Sequence, residues 1–170
     1  MGPLAGPVVA SAVIVRDFSF SSRVDDSKAL TPQEREEAFA EILAKATIGV
    51  GIVGHAVIDE INIFQATMRA MAEAVMKLER TPDCVLVDGN RAPRGVPLVQ
   101  FPIVRGDTRS FSIACASIVA KVTRDRIMAE YDAVYPDYGF RRHKGYCTPE
   151  HRRVLKKIGP CPIHRRSFRY

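Results

Sequence analysis

"MGPLAGPVVASAVIV", residues 1–15, holds the segment that decides how the rest of the chain reads. A Gly-Pro turn runs into Val8–Val15, β-branched and apolar without polar alternation, which predicts a strand covered on both faces. Such a strand needs a layer on each side, and the sequence supplies helices. Thr31, Pro32 and Glu34 form a capping-box signature with proline at the first helical position, opening a helix through about Lys45. "ATIGVGIVG" from Ala46 predicts a second strand. In "EINIFQATMRAMAEAVMKL", Ile63, Ala66, Ala70, Ala74 and Leu78 return near the helical period. "CVLVDGN" and "QFPIVRGD" predict two more strands, each closing on an aspartate, Asp88 and Asp107. A long helix is expected from about Phe111, with Ile113, Ala116, Ala120, Val122 and Ile127 on one side, ending before Pro136. Then come a Gly- and aromatic-rich loop, "DYGFRRHKGYCTPEH", and a short basic helix from about Pro149. Alternation of strand and helix gives the α/β class.

Composition bounds the function. At 170 residues, 46% hydrophobic and 26% charged, the chain is expected to form a single domain over residues 1–170. No apolar run approaches the roughly 20 residues that span a bilayer, and no secretion signature opens the chain, so no membrane role and a cytoplasmic location are expected. Cys84, Cys115, Cys147 and Cys161 lack zinc spacing and read as reduced thiols. The net charge of +6 is local: residues 141–170 hold ten Lys and Arg against Glu150 alone. A basic end of that kind suits a polyanion, although a solvated charged surface gives the same pattern.

Asp88 and Asp107 end two predicted strands. In an open α/β sheet, ligands sit at the carboxyl ends of strands, where two carboxylates can share a hard cation. Asp-Gly turns also cap loops routinely, and spacing alone leaves both readings open. His143, Lys144 and Tyr146 interleave cation and aromatic, a mixture that grips phosphates while stacking on a sugar or base.

Together these segments resemble the type 2 ribonuclease H family, bacterial ribonuclease HII. "GPLAGPVV", "DSKAL", "EINIFQAT", "VLVDGN", "VRGD", "SIVAKVTRDR", "YGFRRHKGY" and "GPCPIHRRSF" stand in the family's order at about its spacing. The resemblance implies a ribonuclease H-like mixed sheet flanked by helices, with residues 137–170 as a basic C-terminal helical extension that binds substrate. It also implies an endonuclease that hydrolyses the RNA strand of RNA–DNA hybrids and nicks at ribonucleotides embedded in duplex DNA, using Mn²⁺ or Mg²⁺ and acting as a monomer.

By the same resemblance Asp88 and Asp107 are the third and fourth of four metal-holding acids. Lys28 approaches the scissile phosphate, Tyr146 stacks on a deoxyribose, and Gly2 offers backbone to the 2′-hydroxyl. His143, Lys144, Arg165 and Arg166 bind backbone phosphates, although the two arginines also suit a structural ion pair. His164 reads equally as packing or function, and Asp125 as a helix-surface residue. The family's Asp-Glu-Ala-Gly-Arg-Gly motif is represented only by Gly2, with Met1 at the arginine position. The first central strand, which the resemblance sets between Val8–Val15 and the strand ending at Asp88, is therefore expected to be missing. Two carboxylates offset paired cations much less well than four, so negligible turnover is expected of the chain as written. The competing expectation is a catalytically dead remnant that still binds hybrids.

Overall fold

In the computed structural model, which describes residues 2–169, β1 (Val8–Val15) pairs antiparallel with β2 (Ala46–Val53), Val8 opposite Val53 and Val15 opposite Ala46. Met1 lies outside the described residues. The β1/β2 pair is covered on both sides, as its unbroken apolar sequence predicts. Val13, Val15, Ile48 and Val50 face α1 (Pro32–Lys45) and α3 (Phe111–Val134), completing a core with Phe39, Ile42, Ile118 and Val119. On the opposite face, Val8, Ala10 and Val53 meet α2 (His55–Met76) through Ile58, Ala66 and Ala70.

Close approach sets the α2 seat. A Cβ on Gly49 would strike the Ala74 carbonyl, and one on Gly51 the Ala70 carbonyl. Glycine on the strand and alanine on the helix let the two backbones touch.

The capping box forms as read: Thr31 Oγ1 accepts from the Glu34 amide at 3.2 Å, and a Glu34 carboxylate oxygen accepts from the Thr31 amide at 2.7 Å. Helix α2 differs from expectation. It starts earlier, at His55, and kinks at Asn62 (φ 65°, ψ 164°), whose side-chain oxygen accepts from the Gln65 amide and restarts the helix. The break turns Ile63 outward, 38% exposed, while Ala66, Ala70 and Ala74 stay buried. A short helix, α4 (Phe140–His143), also forms inside the segment read as loop.

Strands β3 (Cys84–Asp88) and β4 (Val99–Ile103) pair parallel, Asp88 opposite Ile103. Among the described residues the four strands make two separate two-stranded sheets rather than one mixed sheet. Between the β1 and β3 edges lies a cleft of about 460 Å³. Ala116 and Ala120, read from the sequence as core stripe, face this cleft from α3 and are only partly buried.

The C-terminal part has its own core, in which Met128, Tyr138, Phe140, Leu155 and Ile163 enclose Leu4 and Ala5. The last helix, α5 (Pro149–Ile158), is capped by Thr148, whose hydroxyl accepts from the His151 amide. Leu4 N donates to Gly145 O at 2.7 Å, Arg165 N to Leu4 O at 2.8 Å, and Gly6 N to Ile163 O at 3.0 Å. The turn leading into β1 is thus held by the C-terminal extension. No described helix is long and apolar enough to cross a membrane.

Candidate functional site

Asp88 ends β3, exposed, with one carboxylate oxygen accepting from the Gly106 amide at 2.8 Å. Gly106 follows Arg105, whose left-handed backbone (φ 56°) folds residues 106–108 into a 3₁₀ turn. Packing there is close: a Cβ would lie 2.6 Å from Ile113 Cδ1, which would have to rotate away, and 3.4 Å from the Asp88 Cα, an ordinary contact. The turn presents Asp107 beside Asp88. Lys28 closes the group from a third segment, its ammonium 3.6 Å from Asp107 and 3.5 Å from Asp26.

The Lys28 loop is anchored on both sides of the lysine. Buried Ser27 bonds Ser117 of α3 at 2.8 Å, and Arg35 donates to the carbonyls of Ser27 and Leu30. Lys28 itself is 78% exposed, so its weak ion pair leaves it able to turn toward an anion. Hard oxygen donors suit a divalent ion of the magnesium class, which takes about six ligands. Among the described residues, no three His, Cys, Asp or Glu side chains gather at a metal's distance. The donor chemistry is right, but the number falls short.

A second group lies on the C-terminal extension. Tyr146 is 42% exposed, with the Lys121 ammonium 5.9 Å and the Arg124 guanidinium 5.7 Å from its ring centre. Arg124 is buried and donates to Pro7 O (3.0 Å), Ala5 O (3.1 Å) and Lys144 O (3.0 Å). Arg165, 1% exposed, donates to Gly6 O at 3.0 Å and Pro7 O at 3.2 Å, while its Nη1 has no partner among the described residues. Burial, with the nearby Arg124 charge, brings the Arg165 guanidinium down to about 10, and burial lowers Arg124 too. Both stay cationic at neutral pH. Two guanidiniums thus gather the carbonyls of residues 5–7 behind Tyr146.

The histidines are internal. His143, 7% exposed, donates from Nε2 to Tyr138 O at 2.8 Å and accepts at Nδ1 from the Gly145 amide at 3.2 Å. It stacks on His151 at 4.3 Å. His151 donates from Nδ1 to Tyr146 O, so its Nε2 accepts from His164 Nε2 at 2.9 Å, and His164 Nδ1 accepts from the Cys161 amide at 3.0 Å. One set of neutral tautomers satisfies the whole chain. Burial holds His164 down to about 4 and lowers His151.

The family model described as Ribonuclease HII matches residues 1–170. The chain is 52% identical over 168 residues to Ribonuclease HII of Ruminiclostridium cellulolyticum, covering 98% of this chain and 66% of that protein. Against Ribonuclease HII of Geobacter sulfurreducens it is 55% identical over 169 residues, covering 99% and 77% respectively. This chain belongs to the ribonuclease HII family. It spans about two thirds of the Ruminiclostridium relative's length. Among solved structures, it is similar to ribonuclease H2 from Pyrococcus horikoshii (TM-score 0.81, 25% identity, covering 98% of this chain and 89% of that one). It is also similar to a chain of the PCNA:RNase HII complex from Archaeoglobus fulgidus (TM-score 0.79, 26% identity, 99% and 91%).

Within this ribonuclease HII fold, the residues singled out from sequence fall into three places. Asp88, Asp107 and Lys28 converge from segments far apart in the chain. Tyr146, Lys144 and exposed Arg166 remain accessible, Arg166 on a backbone pinned by Asp59, which accepts the Arg166 amide at 2.8 Å and the Ser167 amide at 2.9 Å. Gly2 lies exposed beside Phe168. His143 and Arg165 are buried, their polar atoms turned to backbone rather than to solvent.

Arg124 escaped the sequence reading, which considered only its neighbour Asp125. That aspartate does sit on the helix surface, paired with Lys121 at 2.8 Å. The available signal was an arginine four residues before apolar Met128 in a long helix.

Proposed function

We propose that this chain forms the body of a divalent-metal-dependent endonuclease that hydrolyses the RNA strand of RNA–DNA hybrids and nicks at ribonucleotides embedded in duplex DNA. The observation that carries the reading is the convergence of Asp88, Asp107 and Lys28 in a chain of the ribonuclease HII family. Mg²⁺ or Mn²⁺ is the proposed cofactor, which when bound would activate water and neutralise charge on the leaving oxygen. Asp88 and Asp107 would supply two carboxylate ligands, the remainder coming from outside the described residues.

The chain's own groups bind and orient. Lys28 would meet a phosphate, exchanging its exposed pairing with Asp107 for one to the phosphate. Tyr146 offers an open face for a sugar, with its other surroundings made rigid by Arg124. Gly2 brings backbone without a side chain to a 2′-hydroxyl, the group that separates RNA from DNA. Lys144 and Arg166 contact backbone phosphates, while His143 and Arg165 shape the loop and turn that carry them. A monomer and a cytoplasmic location accompany this reading.

Two carboxylates hold a divalent pair poorly, so residues 1–170 alone bind hybrids with negligible turnover. A permanently silent hybrid-binding module is the second reading, supported by the same short donor set. The test uses a duplex containing one ribonucleotide, with Mn²⁺, across a salt series. The chain is expected to bind with affinity that falls steeply as salt rises, without cutting. Cleavage that Asp88→Asn abolishes would overturn the inactivity; absence of binding at low salt would overturn the substrate.

A further inference from the structure

The Tyr146 ring belongs to none of the three buried clusters and is flanked by the Lys121 and Arg124 cations, so its direction is set through its backbone. That backbone is strained. Lys144 (φ 52°) and Gly145 (φ 81°) both stand in the left-handed region, in a tight turn that the Tyr146 amide closes on His143 O at 2.8 Å. A residue other than glycine persists there only where its surroundings hold it. Beyond the turn, the Tyr146 carbonyl accepts from the Thr148 amide at 2.8 Å and from His151 Nδ1 at 2.9 Å. Of these three bonds, only the last comes from a side chain. His151 is fully buried, stacked on His143 and edge-on to Phe140, which fixes the plane of its ring.

We propose that His151 is a positioning residue: its Nδ1–H holds the Tyr146 carbonyl and so aims the Tyr146 ring at the sugar of a bound duplex, while His164 keeps His151 in the donating tautomer. The inference rests on the reading of Tyr146 as a sugar-stacking group. Neutral imidazole carries one ring proton, so a donor at Nδ1 makes Nε2 an acceptor. His164 Nε2, 2.9 Å away, supplies the proton to that acceptor, and His164 Nδ1 takes the Cys161 amide at 3.0 Å. A backbone amide can only donate, so the Cys161 amide dictates the state of both rings. The imidazole also has a firm mount. Thr148 Oγ1 accepts the His151 amide at 3.2 Å, which ties the start of α5 to the residue that leads back to Tyr146. Bonds from two ends of the C-terminal extension thus converge on one carbonyl.

Two substitutions in the full chain separate aiming from packing. The asparagine amide nitrogen overlies Nδ1 and can donate to Tyr146 O, whereas the glutamine amide overlies Nε2, where it can satisfy His164 but not Tyr146. His151→Asn is expected to bind a duplex containing one ribonucleotide within about twofold of the parent, and His151→Gln at least about fivefold more weakly, as misaligned stacking requires. The Tyr146 ring-carbon resonances should shift in His151→Gln and stay in place in His151→Asn. Nitrogen resonances of the unsubstituted chain should show the His151 proton on Nδ1 at neutral pH. A proton on Nε2 instead would overturn the inference whether or not either variant folds by circular dichroism. Equal weakening by the two variants would overturn it as well, since packing alone would then account for the loss. Tyr146→Leu separates the failures. Parent-like binding by that variant overturns the sugar-stacking reading and this inference together, whereas weakened binding by Tyr146→Leu beside parent-like binding by His151→Gln overturns the inference alone.

Discussion

Replacing Arg124 with methionine tests whether buried charge holds the N-terminal turn against the C-terminal extension. Methionine keeps the apolar stem and removes the three hydrogen bonds to Ala5 O, Pro7 O and Lys144 O. Each bond to a charged donor is worth about 1.5–3 kcal/mol net. Relief from burying a guanidinium offsets part of that sum, while three carbonyls left dry add to the loss. Breaking a buried charged arrangement from one side costs about 3–5 kcal/mol. For a domain of this size, 1 kcal/mol moves the melting temperature about 2–4 °C, so Arg124→Met should melt roughly 6–20 °C lower.

Thermal melts by circular dichroism measure the shift, and exchange at the Leu4, Gly6 and Arg165 amides, all bonded across this junction, locates it. Arg124→Lys should fall between, because one ammonium cannot fork to three carbonyls. Asp125→Ala, which removes only a partly exposed helical pair, should change stability by about 0.3–0.5 kcal/mol. The reasoning fails if Arg124→Met melts within about 2 °C of the parent, well below the shift worked out above.

Gly51→Ala should destabilise by about 1–3 kcal/mol or more in denaturant titration, because its Cβ would meet the Ala70 carbonyl and push α2 off the sheet. Gly106→Ala should leave global stability nearly intact but displace the Ile113 δ1 methyl, visible as a shifted methyl resonance; an unchanged resonance would argue against the packing described. Stability should also depend on pH in a defined window. The folded chain holds His164 and His151 neutral below the ordinary histidine value, so the unfolded chain takes protons first as pH falls. Their contribution is complete above about 6.5 and is lost progressively toward about 4, where the His164 loss levels off. A denaturation midpoint that stays flat across that window would count against the neutral chain of imidazoles.

What the sequence made legible were features written locally. The Thr31–Glu34 box, the doubly covered Val8–Val15 strand and the limits of α3 each depend on a few neighbouring residues, and each appears where expected. Asp88 and Asp107 were recognisable as a pair because each follows an apolar run, but only Asp88 ends its strand: β4 stops at Ile103, and Asp107 sits beyond it in the 3₁₀ turn that the left-handed Arg105 starts. The kink at Asn62 was not legible, since an uninterrupted helical period hid the side-chain bond that restarts the helix. Nor could spacing reveal the fate of His143 and Arg165. Cation–aromatic interleaving describes composition along a loop, whereas burial depends on Leu4, Ala5 and the Gly6–Pro7 carbonyls arriving from the far end of the chain. Long-range closure of that kind has no sequence period.

The location of the acids gives the divided sheet its functional weight. Of β3 and β4, only Val87 is buried, and neither strand contributes to the three main clusters of buried side chains. Asp88 and the turn bearing Asp107 hang on this lightly packed pair. Lys28, by contrast, sits between Ser27, bonded to α3, and Leu30, inside the α1/α3 core. The pairing of Lys28 with Asp107 therefore joins a well-packed body to a poorly packed one, near the cleft that separates their sheets. Asp88 lines that cleft at the end of β3 whereas Lys28 meets Asp107 directly, so the position of Asp88 depends on how the β3 lip is held.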